Sequence, residues 1–481
     1  MARTPTEQPP RSLVSRTSIR RWNISCAVTA AVLLILALVF PWNLYFGLTV
    51  PNSRGALFAL LIACTVLSLA AIAGGRRLGP AVRAALNVPY LLMVLGFVLF
   101  DVVQTVRYGG TATVPGGVGP GAWLGVAGAV LSAQPPITGT VDDDRLRGWL
   151  RSAPLIGYAS IALAVLSVVF NLFWRIKAAL PTGSSGFGKQ NLAIIATAIV
   201  YGVVALVTVV VASRWIMQRS TDSRLTVVGL GASTLIAGLI VWSLNVGRDI
   251  DGFHGIAQNT STTGVGFEGY LAWAVAAAVF APLTLLRILA DQQIAQNTWR
   301  RTARKGLVLI IVWCIGSVLM RITDIVVSIV LNLPYSPYDS AAMAAFDLVT
   351  AVLAVWLYLN LVNRTLPVAV IASLCGVLFV LTVSRIVVGV ALAPRLAGPA
   401  DVNAVYGSNL AQQITSTFDV VLCGLALCIL AVAIGTGRLH QRRPVTISRP
   451  VAVDDAPRIY RGNDSPHTQA PKIFRASDDT T

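Results

Sequence analysis

Charge is scarce in this chain: Asp, Glu, Lys and Arg make up 12% of its 481 residues, against 55% hydrophobic residues and a mean hydropathy of +0.73. A chain so poor in ions cannot clothe a soluble surface, and no polar stretch outside its apolar runs is long enough to bury an enzyme-sized core. Histidine is nearly absent. His254, His440 and His467 fall in loops or in the C-terminal tail, which excludes a His-rich metal centre. The six cysteines, Cys26, Cys64, Cys314, Cys375, Cys423 and Cys428, all lie inside apolar runs at spacings that fit neither a disulfide framework nor a metal site, so they read as small hydrophobes. There is no Ser/His/Asp or Cys/His constellation, so no catalytic residue, cofactor or metal ligand is expected. The first outer loop offers Asn43, Asn52 and Arg54 but no acidic pair of the kind a polytopic glycosyltransferase needs.

What the sequence does have is long apolar runs, at 24–45, 56–74, 88–106, 120–135, 153–174, 191–213, 225–246, 269–290, 306–332, 341–362, 367–391 and 412–435. Backbone in lipid must satisfy its own hydrogen bonds, and these runs are too long and too continuously apolar for barrel strands. The pattern therefore predicts an all-α, polytopic helical membrane protein of about twelve transmembrane helices. The fourth run is short and glycine-rich, which leaves a re-entrant segment open there.

The formal charge of +17 comes from Lys and Arg clustered beside the runs and in the termini, so it reports orientation and does not point to nucleic acid. With both termini cytoplasmic, inner loops hold fifteen Lys and Arg and outer loops seven, in the sense of the positive-inside rule for a plasma-membrane protein. One loop dissents, carrying Arg175, Lys177 and Lys189 outside. Residues 1–22 form a basic arm, and residues 437–481 are too polar to fold; both are expected to be disordered cytoplasmic segments that meet anionic membrane lipids or protein partners.

An internal recurrence divides the membrane part. Gly117-Val-Gly-Pro-Gly121-Ala-Trp123 and Gly264-Val-Gly-Phe-Glu-Gly269-Tyr-Leu-Ala-Trp273 precede or open the fourth and eighth runs, and Val405-Tyr-Gly407 precedes the twelfth, marking four-helix units of 23–135, 153–290 and 306–435. Two other glycine patterns read as loops: Gly183 to Lys189 lacks the Ser or Thr of a phosphate loop, having Gln190 there, and Gly264-x-Gly266-x-x-Gly269 opens a membrane helix. Asp249 and Asp251, near His254, read as a solvated loop.

The third unit is different because it carries ions inside its helices. Ser317, Arg321, Asp324 and Ser328 share one helical face; Asp347 stands with Ser340 and Thr350, Arg385 with Thr382, and Asp419 with Gln412, Thr415, Ser416 and Cys423. A charge at membrane depth costs roughly 2.5 to 3.5 kcal/mol on insertion scales, so these groups must pair. Arg321, Asp324, Asp347, Arg385 and Asp419 are the candidate substrate or proton site, expected in the outer half of the bilayer. Two cations against three acids leave one carboxylate over, and Asp347, with no basic residue on its own helix, is the expected spare. Two functions fit: transport or lipid handling through this polar pocket, or a non-catalytic scaffold or chaperone of a cell-envelope or division complex in which the ions are structural.

In composition, arginine bias over lysine, Gly-x-Gly loop endings and a basic tail, the chain resembles uncharacterised multi-pass membrane proteins of actinobacteria. That resemblance implies a membrane location and brings no functional residue with it.

Overall fold

The computed structural model describes residues 16–43, 46–48, 52–108, 118–138, 144–180, 187–243, 267–290, 292–332, 337–361, 367–396 and 417–441. Among these residues the regular structure is helical: α1 (Arg16–Val39), α2 (Gly55–Ala73), α3 (Pro80–Tyr108), α4 (Pro120–Ala133), α5 (Asp144–Ala179), α6 (Lys189–Met217), α7 (Thr221–Ser243), α8 (Ala272–Ala290), α9 (Gln292–Val330), α10 (Pro337–Asn360), α11 (Val368–Leu396) and α12 (Thr417–Gln441). Eleven are long and apolar enough to cross a membrane; α4, with 14 residues, is the exception.

Burial separates an outer ring from a centre. The most apolar window of α1 is 17% buried, with Ile24, Val28, Val32 and Ile35 facing outward, whereas that of α8 is 67% buried. An exposed apolar stripe on a helix of this length is what lipid contact requires. The short helix α4 lies deepest, with every residue buried except Leu131.

Small residues let α4 lie that deep. A Cβ at Gly121 would stand 2.4 Å from the Phe40 carbonyl oxygen, one at Gly125 2.1 Å from Tyr90 Oη, and one at Gly128 2.9 Å from Leu34 Cγ. Close backbone approach through glycine and alanine is how helices associate where no hydrophobic force separates them from lipid. Fourteen residues give about 21 Å of helix, short of a hydrocarbon core of about 30 Å. The flanking chain extends the segment at both ends. Gly119 and Gly121 donate their N–H groups to Trp42 and Pro41 carbonyls at one end of α1, and beyond α4 the Asn23 side chain pairs with the N–H and C=O of Ile137 at the other. The segment 119–137 thus runs the length of α1, ending as extended chain.

A polar cap closes the C-terminal end of α4. Arg83 donates through Nε and Nη2 to the Ser132 carbonyl, at 3.2 and 2.8 Å, and through Nη1 to Gly75. Ser132 Oγ donates to Ser68, and Gln134 Nε2 to Ala278. A cation on the last carbonyls of a helix meets the negative end of its dipole. Sequence reasoning counts Arg83 as a loop charge; it is a buried helix cap, 7% exposed. In the loop that dissents from the charge rule, Lys177 occupies the last turn of α5, where a cation is favoured, whereas Lys189 opens α6, where it is not.

Aromatic rings join the central helices. Trp123 of α4 meets Tyr270 at 4.8 Å between centroids, Trp273 of α8 meets Phe418 of α12 at 5.8 Å, and Phe418 meets Trp313 of α9 edge-on at 4.8 Å. The two tryptophans of the recurring loop endings therefore both contact Tyr270. On the same side as the Arg83 cap, the basic start of α9 docks on α7, with Lys305 Nζ 2.8 Å from Asp222, and Arg304 stacks 4.4 Å from the Tyr358 ring of α10.

Candidate functional site

Helix phase brings the five predicted ions together. On α9, Trp313, Ser317, Arg321 and Asp324 follow one another at spacings of four, four and three residues, which places them on one face. α10 contributes Ser340 and Asp347, α11 contributes Arg385, and α12 contributes Asp419 from its first turn, where a carboxylate meets the positive end of the helix dipole. All five charged groups are at most 4% exposed.

The seam has two parts of different character. In the first, Arg385 forms ion pairs with Asp347 through Nε and with Asp419 through Nη1, and its Nη2 donates to Ser317 Oγ at 2.9 Å. Ser317 in turn donates to Asp347 Oδ2 at 2.7 Å, and the Trp313 indole N–H donates to Asp419 Oδ1 at 2.6 Å. One guanidinium therefore ties α11 to α10, α12 and α9, and each carboxylate has a second donor. Buried pairs repay their desolvation only when the remaining lone pairs are satisfied, and here the Arg385 Nε–Asp347 Oδ1 contact is an ion pair without hydrogen-bond geometry.

The second part is less complete. Asp324 Oδ2 accepts from Ser340 at 2.6 Å, but Asp324 Oδ1 and Arg321 Nε and Nη1 are buried with no hydrogen-bond partner. Arg321 is 1% exposed and feels Arg385, Asp347, Asp324 and Tyr201 of α6 electrostatically. A buried polar atom without a partner costs roughly 1 to 3 kcal/mol, and more when it is charged.

One expectation changes. Asp347 is not the spare acid, because Arg385 of the neighbouring helix pairs with it; the carboxylate outside the Arg385 pairing is Asp324. Asp347 is ten residues from Pro337 and Ser317 thirteen from Val330, about 15 and 20 Å along their helices from those ends, whereas Asp419 stands in the first turn of α12. Asp324 and Ser340 lie nearer those ends, about 9 and 5 Å in.

Of the polar neighbours predicted to share these faces, Ser317 and Ser340 bond to the ions, whereas Thr350 and Thr382 give their hydroxyls to the carbonyls of Phe346 and Phe379 on their own helices. Gln412, Thr415 and Ser416 lie outside the described residues, as do Asp249, Asp251, His254 and most of the glycine stretch 183–189. Gly188, at the end of that stretch, caps α6, its N–H donating to Asn191 Oδ1 at 2.9 Å. Trp313 is the participant that sequence reasoning missed, although it stands four residues before Ser317 on the same face. Among the described residues no group of His, Cys, Asp and Glu could hold a metal ion.

Residues 23–438 match the model of a domain of unknown function, DUF7937. The chain belongs to that family. The DUF7937 region takes in the whole polar seam, and most of the basic N-terminal arm and of the C-terminal tail lies outside it. No curated protein and no solved structure matches the chain.

Proposed function

We propose that this DUF7937 protein transports or handles an amphiphilic or ionic substrate, with Arg321 and Asp324 as the substrate or proton site and the Arg385 cluster as the clamp that holds α9 to α12 around them. The observation that carries the reading is the incompletely satisfied guanidinium of Arg321, 1% exposed at membrane depth. Ions inside membrane helices that are not used up in mutual pairing mark substrate or proton paths. Asp347, Arg385 and Asp419 belong to the same site as its supporting half. The protein sits in the plasma membrane with both termini cytoplasmic, an orientation supported by the loop charge bias, and the three four-helix units are its building blocks.

Thiol accessibility tests this. Ser340→Cys and Ser317→Cys, each in a background lacking the native cysteines, are treated with a small membrane-impermeant thiol reagent in reconstituted vesicles. Transport predicts that position 340 is modified and position 317, inside the closed half, is protected. If both stay unmodified, the seam is dry and the transport reading fails.

A second reading, a non-catalytic scaffold or chaperone of an envelope or division complex, is favoured by one observation, the pairing of Arg385 with two carboxylates and Ser317. In that reading the basic arm and tail recruit protein partners or anionic lipid, and the seam only fixes helix order.

A further inference from the structure

A second feature of the molecule lies far from the seam in sequence and in chemistry. At the end of α2 and α3 near Asn43 and Arg54 there is a cavity of about 800 Å³. Three of its polar residues are Asn52, Arg54 and Gln104, and no carboxylate is among the described residues that line it. Its apolar wall includes Leu57, Leu60 and Phe100, which are 40%, 50% and 41% exposed on the lipid-facing surface of the ring. The cavity therefore opens toward the bilayer and has its cation at the end where the chain leaves the membrane.

Length and chemistry narrow the occupant. Along α3 the lining runs from Gln104 to Met93, eleven residues or about 17 Å, close to the thickness of one leaflet's hydrocarbon of about 15 Å. Gly96 lies within this length, and a Cβ built there meets nothing within 4 Å. A helical glycine with open space beside it, in the wall of an apolar crevice, leaves room for a foreign chain. At the polar end the exposed Arg54 offers a positive charge, and Gln104 Oε1 is a buried acceptor with no partner. A phosphate beside Arg54 and a hydroxyl beside Gln104 would satisfy both.

We infer that this crevice binds one anionic phospholipid with a hydroxylated headgroup from the adjoining leaflet, its phosphate at Arg54 and an acyl chain along Leu57, Leu60 and Gly96. The inference does not depend on the role of Arg321, since the two places share no residue.

The experiment uses the full chain in nanodiscs of equimolar phosphatidylglycerol and phosphatidylcholine, followed by mild extraction and native mass spectrometry of the lipids that stay bound. The wild type retains a lipid and prefers phosphatidylglycerol. Arg54→Gln keeps the lipid but loses about five-fold of that preference, the worth of one basic side chain at an anionic surface. Gly96→Leu fills the groove with a residue that favours helix and releases one lipid of either type. Gly376→Leu is the control, because a Cβ there also meets nothing within 4 Å but the position is on α11, away from the crevice; it retains lipid as the wild type does. Equal retention by Gly96→Leu and wild type overturns the site, and an unchanged preference in Arg54→Gln overturns the anionic headgroup.

Discussion

Removing Arg385 is the sharpest perturbation of the seam. Arg385→Ala strands Asp347 and Asp419, both at most 3% exposed, and takes a donor from Ser317 Oγ, while Ser317 and Trp313 keep donating to the two acids. Breaking a buried pair by deleting one partner costs about 3 to 5 kcal/mol. One of the two carboxylates can take up a proton, which limits the loss, so the lower end is expected: a folding equilibrium reduced roughly a hundredfold to a thousandfold. Reversible unfolding in mixed micelles, followed by tryptophan fluorescence, measures it, and Trp313 reports locally because its indole is bonded to Asp419. Arg385→Lys keeps the charge but not the planar fork that reaches two carboxylates and Ser317, and falls between. Combining Arg385→Met with Asp347→Asn and Asp419→Asn removes all three ions and recovers most of the loss, since replacing a whole buried network is often near neutral. If Arg385→Ala unfolds at the same denaturant concentration as the wild type, the cluster does not hold these helices together and the clamp is wrong.

Asp347→Asn should cost about 1.5 to 3 kcal/mol in the same assay, as a bond to a charged group is lost, whereas Asp324→Asn, with one hydroxyl partner, should cost under about 1 kcal/mol. Ser317→Ala should cost more than Ser340→Ala, because Ser317 serves both Asp347 and Arg385 and Ser340 serves Asp324 alone; equal losses would dissolve the distinction between the two halves. Gly125→Leu drives a side chain into Tyr90 and should destabilise by at least about 1 to 3 kcal/mol, read as reduced accumulation of folded protein. Reporter fusions at residues 185 and 255 should read outside and at residue 295 inside, and an inside signal at 185 would refute the proposed orientation.

The helical membrane class and the convergence of five ions were legible in the sequence because each rests on periodicity: apolar length sets the spans, and residues four, seven and eleven apart set the face. What periodicity does not carry is which partner each ion takes. Asp347 looked spare because its own helix has no cation, yet its cation arrives from α11, a choice made by helix packing. Arg83 reads as a loop charge in sequence because its use as a cap depends on Ser132, 49 residues away. The short fourth run hid its reach in the same way, since extended chain tied to Asn23 continues it beyond its helix.

The two halves of the seam differ because of where their charges originate. Arg385 is alone on its face of α11 and meets acids delivered by two other helices, so pairing and helix association are one event. Arg321 and Asp324 share α9 at a spacing of three, a distance at which side chains on one helix can meet without any neighbour. They do not close on each other here: Asp324 is held by Ser340 of α10, and Arg321 Nε and Nη1 stay without acceptors. A network serving only to fix helix order would gain by closing that contact, since each buried open group is a cost. Ser340 of α10 bonds Asp324, and the open groups lie on the side of the seam nearer the ends of α9 and α10. Under the transport proposal, that arrangement would let a substrate or proton reach Arg321 and Asp324 while the Arg385 cluster behind them stays intact.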